Sequence, residues 1–262
     1  MLEDRQVLRD VWDGRLPVCF RLADNEVHTV SAPDPFYMLI PRMTYFPLVI
    51  DKVRRHFSQS VHPDHAKSDV WLEWGDMPLQ WHYPVGLQFD LLATDSVLPW
   101  NLVVHFTDRP DQCPFMKREA MESFFFSTVK EADQLKHKGS AISSLGKRDH
   151  SQLWTGLAFD KFDQFWAVNR HLMECEGESA FRAVPVRLYR AGAPYVQRPV
   201  PVRAEDGRQN TLRQLITQLA PELTDDARAI IHGIEPPMDT PLQWLSQHFS
   251  YADNFLHIVV FP

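Results

Sequence analysis

The sequence predicts an α+β chain in which two sheet-forming segments of like design flank a helix-rich middle. Three observations carry this. The order β-β-α-β-β-α-β can be read in residues 15–107, and the same succession with one strand fewer in residues 178–262. Most strand segments in both spans are short runs that alternate in the period of two or carry apolar residues on both faces. Residues 118–177 instead place their apolar positions at three- and four-residue steps, the helical period. A short helix over 1–14 and a linker over 108–117 complete the expected organisation.

Leu2 to Trp12 reads as an amphipathic helix with Leu8, Val11 and Trp12 on one side and Gly14 closing it. PVCFRLA follows as a half-buried strand with Val18, Phe20 and Leu22 on one face, and FYMLI forms a second. Thr44 is expected to cap a helix with Phe46, Val49, Val53 and Phe57 inward; Lys52, Arg54 and Arg55 lie near its end, where the helix dipole favours cations. Gly75-Asp76 is a turn between the expected strands VWLEW and PLQWHY. VGLQFDLL then reads as a short helix and NLVVHF as the last strand of the first module.

In the second module AVPVRLY and VQRPVPVR read as strands, and TLRQLITQLAP as a helix with a Thr211/Gln214 capping box and a stop at Pro221. RAIIHGIEP supplies a strand and turn, PLQWLSQHFS a helix and NFLHIVVF the closing strand. Both faces of that closing strand are largely apolar, the pattern of a strand in the middle of a sheet. The tetrapeptide PLQW occurs at 78 and at 241 but in different registers, so the order of elements repeats and the sequence does not.

In the middle segment Met121, Phe125, Thr128, Val129, Ala132 and Leu135 fall within one stripe at 100° per residue. Lys130 lies opposite Met121, with Asp133 three residues on, and is expected to face water. Gly139 and the serines after it weaken this helix. A second helix is expected from about Asp149 to Leu172, with large apolar residues around most of its circumference.

An apolar fraction of 44% and a charged fraction of 23% are those of an ordinary globular protein. A net charge of −7 argues against nucleic-acid binding by bulk electrostatics. Seven arginines between Ala180 and Arg213 face only Glu205 and Asp206, which reads as a solvated strand edge, with contact to anionic lipid as the alternative. Cys19, Cys113 and Cys175 form no C-x-x-C pair, so neither a disulfide framework nor a zinc site is expected, and a reducing cytosol fits best. No apolar run reaches the roughly 18 residues of a membrane span, and MLEDRQ has the pattern of neither a signal nor a transit peptide. Any membrane role is therefore expected to be peripheral.

Phosphate loops, dinucleotide loops, nucleophile elbows and H-E-x-x-H are absent from the sequence. His62-Pro63-Asp64-His65 reads as a solvated loop, since the proline breaks any helical ligand spacing. Asp225-Asp226 reads as solvent-facing, and His232 and His257 as strand histidines of structural kind. Lys130 stands apart only as an exposed amine on a firm helix. With a reference pKa of about 10.4, roughly a few parts in ten thousand of such an amine are neutral near pH 7. Asp133 would stabilise the ammonium form, so the chain does not activate its own lysine. That suits an acceptor whose catalyst is another protein, while a plain solvated helix face explains the same residues.

VLRDVWDGRLPVCF, LQWHYPVGLQFDLL, LPWN, VKEADQLKHK, FDQFWAVNR, and IHGIEPPMDTPLQWLS followed by DNFLHI resemble the autophagy protein 5 family nearly from end to end. The resemblance implies two ubiquitin-like β-grasp domains flanking a helix-rich domain. It also implies that the lysine of VKEAD, Lys130, accepts the C-terminal glycine of the ubiquitin-like autophagy protein 12. The E1-like autophagy protein 7 would activate that modifier and the E2-like autophagy protein 10 would deliver it as a thioester. The conjugate, bound to the N-terminal helix of autophagy protein 16, would act as an E3-like factor toward autophagy protein 3, promoting transfer of autophagy protein 8 to phosphatidylethanolamine. The chain itself would be no enzyme and need no cofactor or metal, working in the cytoplasm and peripherally at the isolation membrane. The aromatic residues of the middle are expected to fasten the domains together, and the partner helix to dock in a cleft between domains. Arg42, after Pro41, is a candidate partner contact, with a structural ion pair as the alternative. The chain ends at Pro262 and its linkers are short, which leaves open any contact made by residues beyond the last strand. A pure binding adaptor without a modified lysine and a free-standing enzyme are the competing readings.

Overall fold

The computed structural model describes residues 2–111, 113, 115–173, 181–223 and 227–262; Cys175 and Asp225-Asp226 lie outside these. Two compact units result. One comprises Arg15–Phe89 and Ala93–Met121, the other Met1–Gly14, Asp90–Leu92 and Glu122–Pro262.

The first unit holds a five-stranded sheet of order β2-β1-β5-β3-β4. Its strands are β1 (Arg15–Leu22), β2 (Phe36–Pro41), β3 (Trp71–Trp74), β4 (Met77–Pro78) and β5 (Trp100–His105). β1 pairs antiparallel with β2 and parallel with β5, with Val18 opposite Trp100 and Leu22 opposite Val104. Val18, Phe20, Leu102 and Val104 are buried in its core. β4 is only two residues long, so the expected strand PLQWHY is a correction. After the turn at Gly75 and Asp76, both at positive φ, Leu79 donates its amide to the Leu72 carbonyl and the chain then leaves the sheet.

The helix α2 (Phe46–Phe57) buries Phe46, Ile50, Val53 and Phe57, so Ile50 takes the inward place expected for Val49. Its N-cap is Tyr45 and not Thr44, and no side chain caps it. The reason is local: Pro47 in the first turn has no N–H to satisfy, and the Thr44 carbonyl instead accepts from the Val85 amide at the start of the next helix.

The second unit holds a four-stranded sheet of order β7-β6-β9-β8, with β6 (Val184–Arg190), β7 (Ala193–Val200), β8 (Arg228–Ile230) and β9 (Leu256–Phe261). β9 lies inside the sheet, parallel to β6 and antiparallel to β8, and is buried from Leu256 to Val260. Each sheet therefore pairs its first and last strands in parallel at its centre, the arrangement of a β-grasp module. The helix Leu212–Leu219 is capped by Thr211 and Gln214 as the sequence predicts. His232 is a correction: it lies past the end of β8 at a φ of 55°, in the tight turn closed by the Ile231–Ile234 bridge, and stacks on Tyr251.

Among the described residues, four helices carry the middle of the chain: α4 (Arg118–His137), α5 (Ser140–Ser143), α6 (Lys147–Ala158) and α7 (Phe162–Met173), following α3 (Val85–Leu92). The single helix expected from Asp149 to Leu172 is thus two. Asp160 sits at a φ of 55°, and the Lys161 amide returns to the Gly156 carbonyl at 2.7 Å. The amphipathic α1 (Leu2–Trp12) sets Trp12 against Phe165, ring centroids 4.9 Å apart, while Arg5 and Arg9 bond Asp163 of α7.

Candidate functional site

The site is built on the part of α4 that belongs to the second unit. Phe125, Val129 and Ala132 are fully buried, and Phe125 packs on Trp154 of α6 with centroids 5.7 Å apart. This apolar stripe fixes the rotation of the helix, and Lys130 consequently emerges exposed to water. Among the described residues, no hydrogen bond or ion pair holds its ammonium.

Three side chains on the next two turns pin the helix at its C-terminal half. Asp133 is buried and its Oδ2 accepts the Ile142 amide at 2.9 Å. It therefore turns inward, and the expectation that it lies beside Lys130 is corrected: a buried backbone N–H needs the acceptor more than an exposed ammonium does. Lys136 is buried as well, its Nζ donating to Met173 Sδ at 3.0 Å and lying 4.8 Å from the Phe181 ring. His137 Nε2 is 3.1 Å from the Leu172 carbonyl oxygen.

Glu131, the immediate neighbour of Lys130, reaches the second sheet. Its Oε1 accepts from Gln197 Nε2 of β7 at 2.6 Å and its Oε2 from Arg187 Nη2 of β6 at 3.5 Å. Arg187 Nε in turn donates to Gln197 Oε1 at 2.8 Å, which closes a ring of three side chains. The guanidinium lies 3.9 Å from the Phe255 ring centroid, and Nη1 is 3.7 Å from Asp253. Burial opposes the charge of Arg187, but Asp253, the neighbouring tyrosines and Glu131 outweigh it and hold its pKa above the ordinary value. Asp253 is itself buried, 2.9 Å from His257 Nε2, and His257 Nδ1 is 2.9 Å from the Tyr189 hydroxyl. Burial pushes the Asp253 carboxyl up, yet His257, Arg187 and the Phe255 amide pull it further down, so its pKa ends below the usual carboxylate range.

Arg42 is 7% exposed in the first unit. Its Nη2 donates to the Gly86 carbonyl at 3.3 Å and its guanidinium lies 5.9 Å from the Phe89 ring. Of the arginines after Phe181, Arg187 is in the ring just described, Arg190 pairs with Glu222 and Arg208 with Asp206, so much of that charge is met within the chain. The histidines of the 62–65 loop are near one another, with His62 Nδ1 3.4 Å from Asp64, but no group of three potential metal ligands occurs among the described residues. Cys19 and Cys113 are buried, and burial pushes the Cys113 thiol up. The arrangement around Lys130 can present an amine on a fixed helix. Periodicity places Lys130 on the water-facing side, but Glu131, Arg187 and Gln197 gave no sequence signal as a set, since their partners are 56 and 66 residues away.

Comparison with known proteins places three consecutive family descriptions along the chain. "Autophagy protein ATG5, UblA domain" matches residues 11–106, the "alpha-helical bundle region" of the same protein residues 118–175, and its "UblB domain" residues 183–260. The chain is 41% identical to autophagy protein 5 of Drosophila melanogaster, over 99% of this chain and 98% of that one. It is 31% identical to autophagy-related protein 5 of Caenorhabditis elegans, over 98% of each. The crystal structure of Kluyveromyces marxianus Atg5 superimposes with a TM-score of 0.85 at 21% identity, covering 97% of this chain and 99% of that one, and so shares the fold.

Proposed function

The chain belongs to the autophagy protein 5 family, and from that premise we propose that it is the lysine acceptor and scaffold of a ubiquitin-like conjugation. The observation that carries this reading is the exposure of Lys130 on a helix whose other face is fully buried. In the proposed reaction the neutral Nζ attacks the thioester carbonyl at the C-terminal glycine of autophagy protein 12. The N–C bond forms, the C–S bond breaks, the cysteine thiolate of the E2-like autophagy protein 10 leaves, and the amine proton passes to solvent. The E1-like autophagy protein 7 forms the thioester beforehand at the cost of ATP, so this chain requires no nucleotide site for the step. Its own contribution is position: an acceptor fixed in orientation spares the transfer part of its entropic cost.

The conjugate is proposed to bind the N-terminal helix of autophagy protein 16 and to serve, as an E3-like factor with autophagy protein 3, the transfer of autophagy protein 8 to phosphatidylethanolamine. Arg42 belongs to this reading as a candidate contact for that helix. We place the protein in the cytoplasm and peripherally at the isolation membrane; among the described residues no helix is long and apolar enough to cross a membrane.

The test is reconstitution of the full chain with the E1-like and E2-like proteins, the modifier and ATP, followed by mass mapping of the branched peptide. Lys130→Arg is expected to abolish the adduct. An adduct of undiminished yield on the variant would refute Lys130 as the acceptor, and a functional helix partner bound without any adduct would favour a pure adaptor.

A further inference from the structure

We propose that Glu131 is a positioning residue for Lys130, acting through the closed ring it forms with Gln197 and Arg187. The inference rests on the acceptor reading above and adds to it the device that aims the amine. Lys130 and Glu131 are consecutive, so any restraint on the Glu131 side chain restrains the backbone from which Lys130 projects.

The ring is suited to that task by its geometry. Gln197 uses both ends of its amide, accepting from Arg187 and donating to Glu131, so its orientation is fixed by two partners. Arg187 is held on every side: Gln197 at Nε, Glu131 at Nη2, Asp253 near Nη1 and the Phe255 ring against its face. A rigid guanidinium fork of this kind gives direction as well as charge. Glu131 thereby joins α4 to the two strands β6 and β7, whereas Asp133, Lys136 and His137 join it to residues near α5 and α7. Among these polar contacts of the described residues, that of Glu131 lies one residue from the amine.

The same contacts argue against a different role. Both carboxylate oxygens of Glu131 are engaged by donors, one of them cationic, so Glu131 is not poised to take the proton that Lys130 loses. It aims the amine, and the proton leaves by another path. Its side chain is 46% exposed, which lets it be altered without opening the core; Arg187, at 11%, is not a suitable site for the same purpose.

The experiment compares wild type, Glu131→Ala, Glu131→Gln and Lys130→Arg as full chains, in single-turnover transfer from the preformed thioester of the modifier on its E2-like carrier, with chain concentration varied. Amide hydrogen exchange of residues 126–135 is followed in parallel. Glu131→Ala is expected to lower the limiting rate about tenfold, within the range that misplacement of a reacting group produces, while the half-saturating concentration changes less than about twofold. Exchange in 126–135 speeds up. Glu131→Gln, which keeps a carbonyl acceptor for Gln197, recovers most of the limiting rate. An unchanged limiting rate in Glu131→Ala, or a loss confined to the half-saturating concentration, overturns the inference while leaving the acceptor reading intact. Failure of wild type to form a Lys130 adduct overturns the acceptor reading and this inference with it.

Discussion

Gly156 offers a test in which local propensity and packing predict opposite signs. It lies in α6 where α7 comes closest: a Cβ built there would stand 2.7, 2.8 and 2.9 Å from the backbone N, Cα and Cβ of Phe165. Carbon contacts are optimal at about 3.5–4.0 Å, so Gly156→Ala requires the two helices to part by roughly 1 Å. The atoms met are mainly backbone and cannot rotate away. Phe165 is buried against Trp12, so the displacement spreads into the packing of α1. Alanine would by itself favour the helix by about 1 kcal/mol, and overpacking of this kind costs about 1–3 kcal/mol, more when backbone must move. The expected net effect is a destabilisation of roughly 1–2 kcal/mol, or a fall in Tm of about 2–6 °C for a chain of this size. Thermal unfolding followed by tryptophan fluorescence, with amide exchange in α6 and α7 to localise the effect, measures it. A Gly156→Ala chain as stable as wild type, or more so, would refute the close approach of the two helices.

Two further outcomes depend on pH. Asp253 has its pKa lowered in the fold, so its contribution to stability is present above the ordinary carboxylate value of about 3.9 and is lost as pH falls through the lower folded value. Asp253→Asn, which leaves Arg187 short of its buried counter-charge, is expected to cost about 3–5 kcal/mol at neutral pH and to cost progressively less in acid; urea unfolding at stepped pH checks this. In the first unit Glu26 accepts the Phe106 amide at 2.7 Å and the Thr107 hydroxyl at 2.9 Å. Burial raises its pKa, but His105 and those donors more than reverse the effect and lower it. Its stabilisation is likewise lost only as pH drops below the ordinary value, so Glu26→Gln should flatten the acid limb of the stability curve for that unit, read by exchange at the Phe106 amide.

The sheets were legible because strands carry their burial in the chain itself: Val18, Phe20 and Leu22 alternate, and Leu256 to Val260 are apolar but for His257. The helix cap at Thr211 was legible because both of its partners lie within one turn. What escaped depends on partners from far along the chain or on backbone that no residue type announces. Asp133 read as a neighbour of Lys130 but is buried on the Ile142 amide, and Lys136 is buried against Met173 and Phe181, partners that helical period does not name. The break between α6 and α7 falls at Phe159, Asp160 and Lys161, where no glycine or proline stands; an aspartate takes the left-handed conformation instead. Lys130 was placed outward by helical period alone, yet the ring beside it could not be foreseen without the sheet.

The parallel pairing of β9 with β6 has a consequence for synthesis. The middle of the second sheet is supplied by the module's final element, so a nascent chain halted anywhere before Leu256 leaves the apolar edge of Val184–Tyr189 without its neighbour. The first module, whose equivalent β5 is complete at His105, can close while the remainder is still being translated. During synthesis the first sheet can therefore be complete while the second still lacks a central strand.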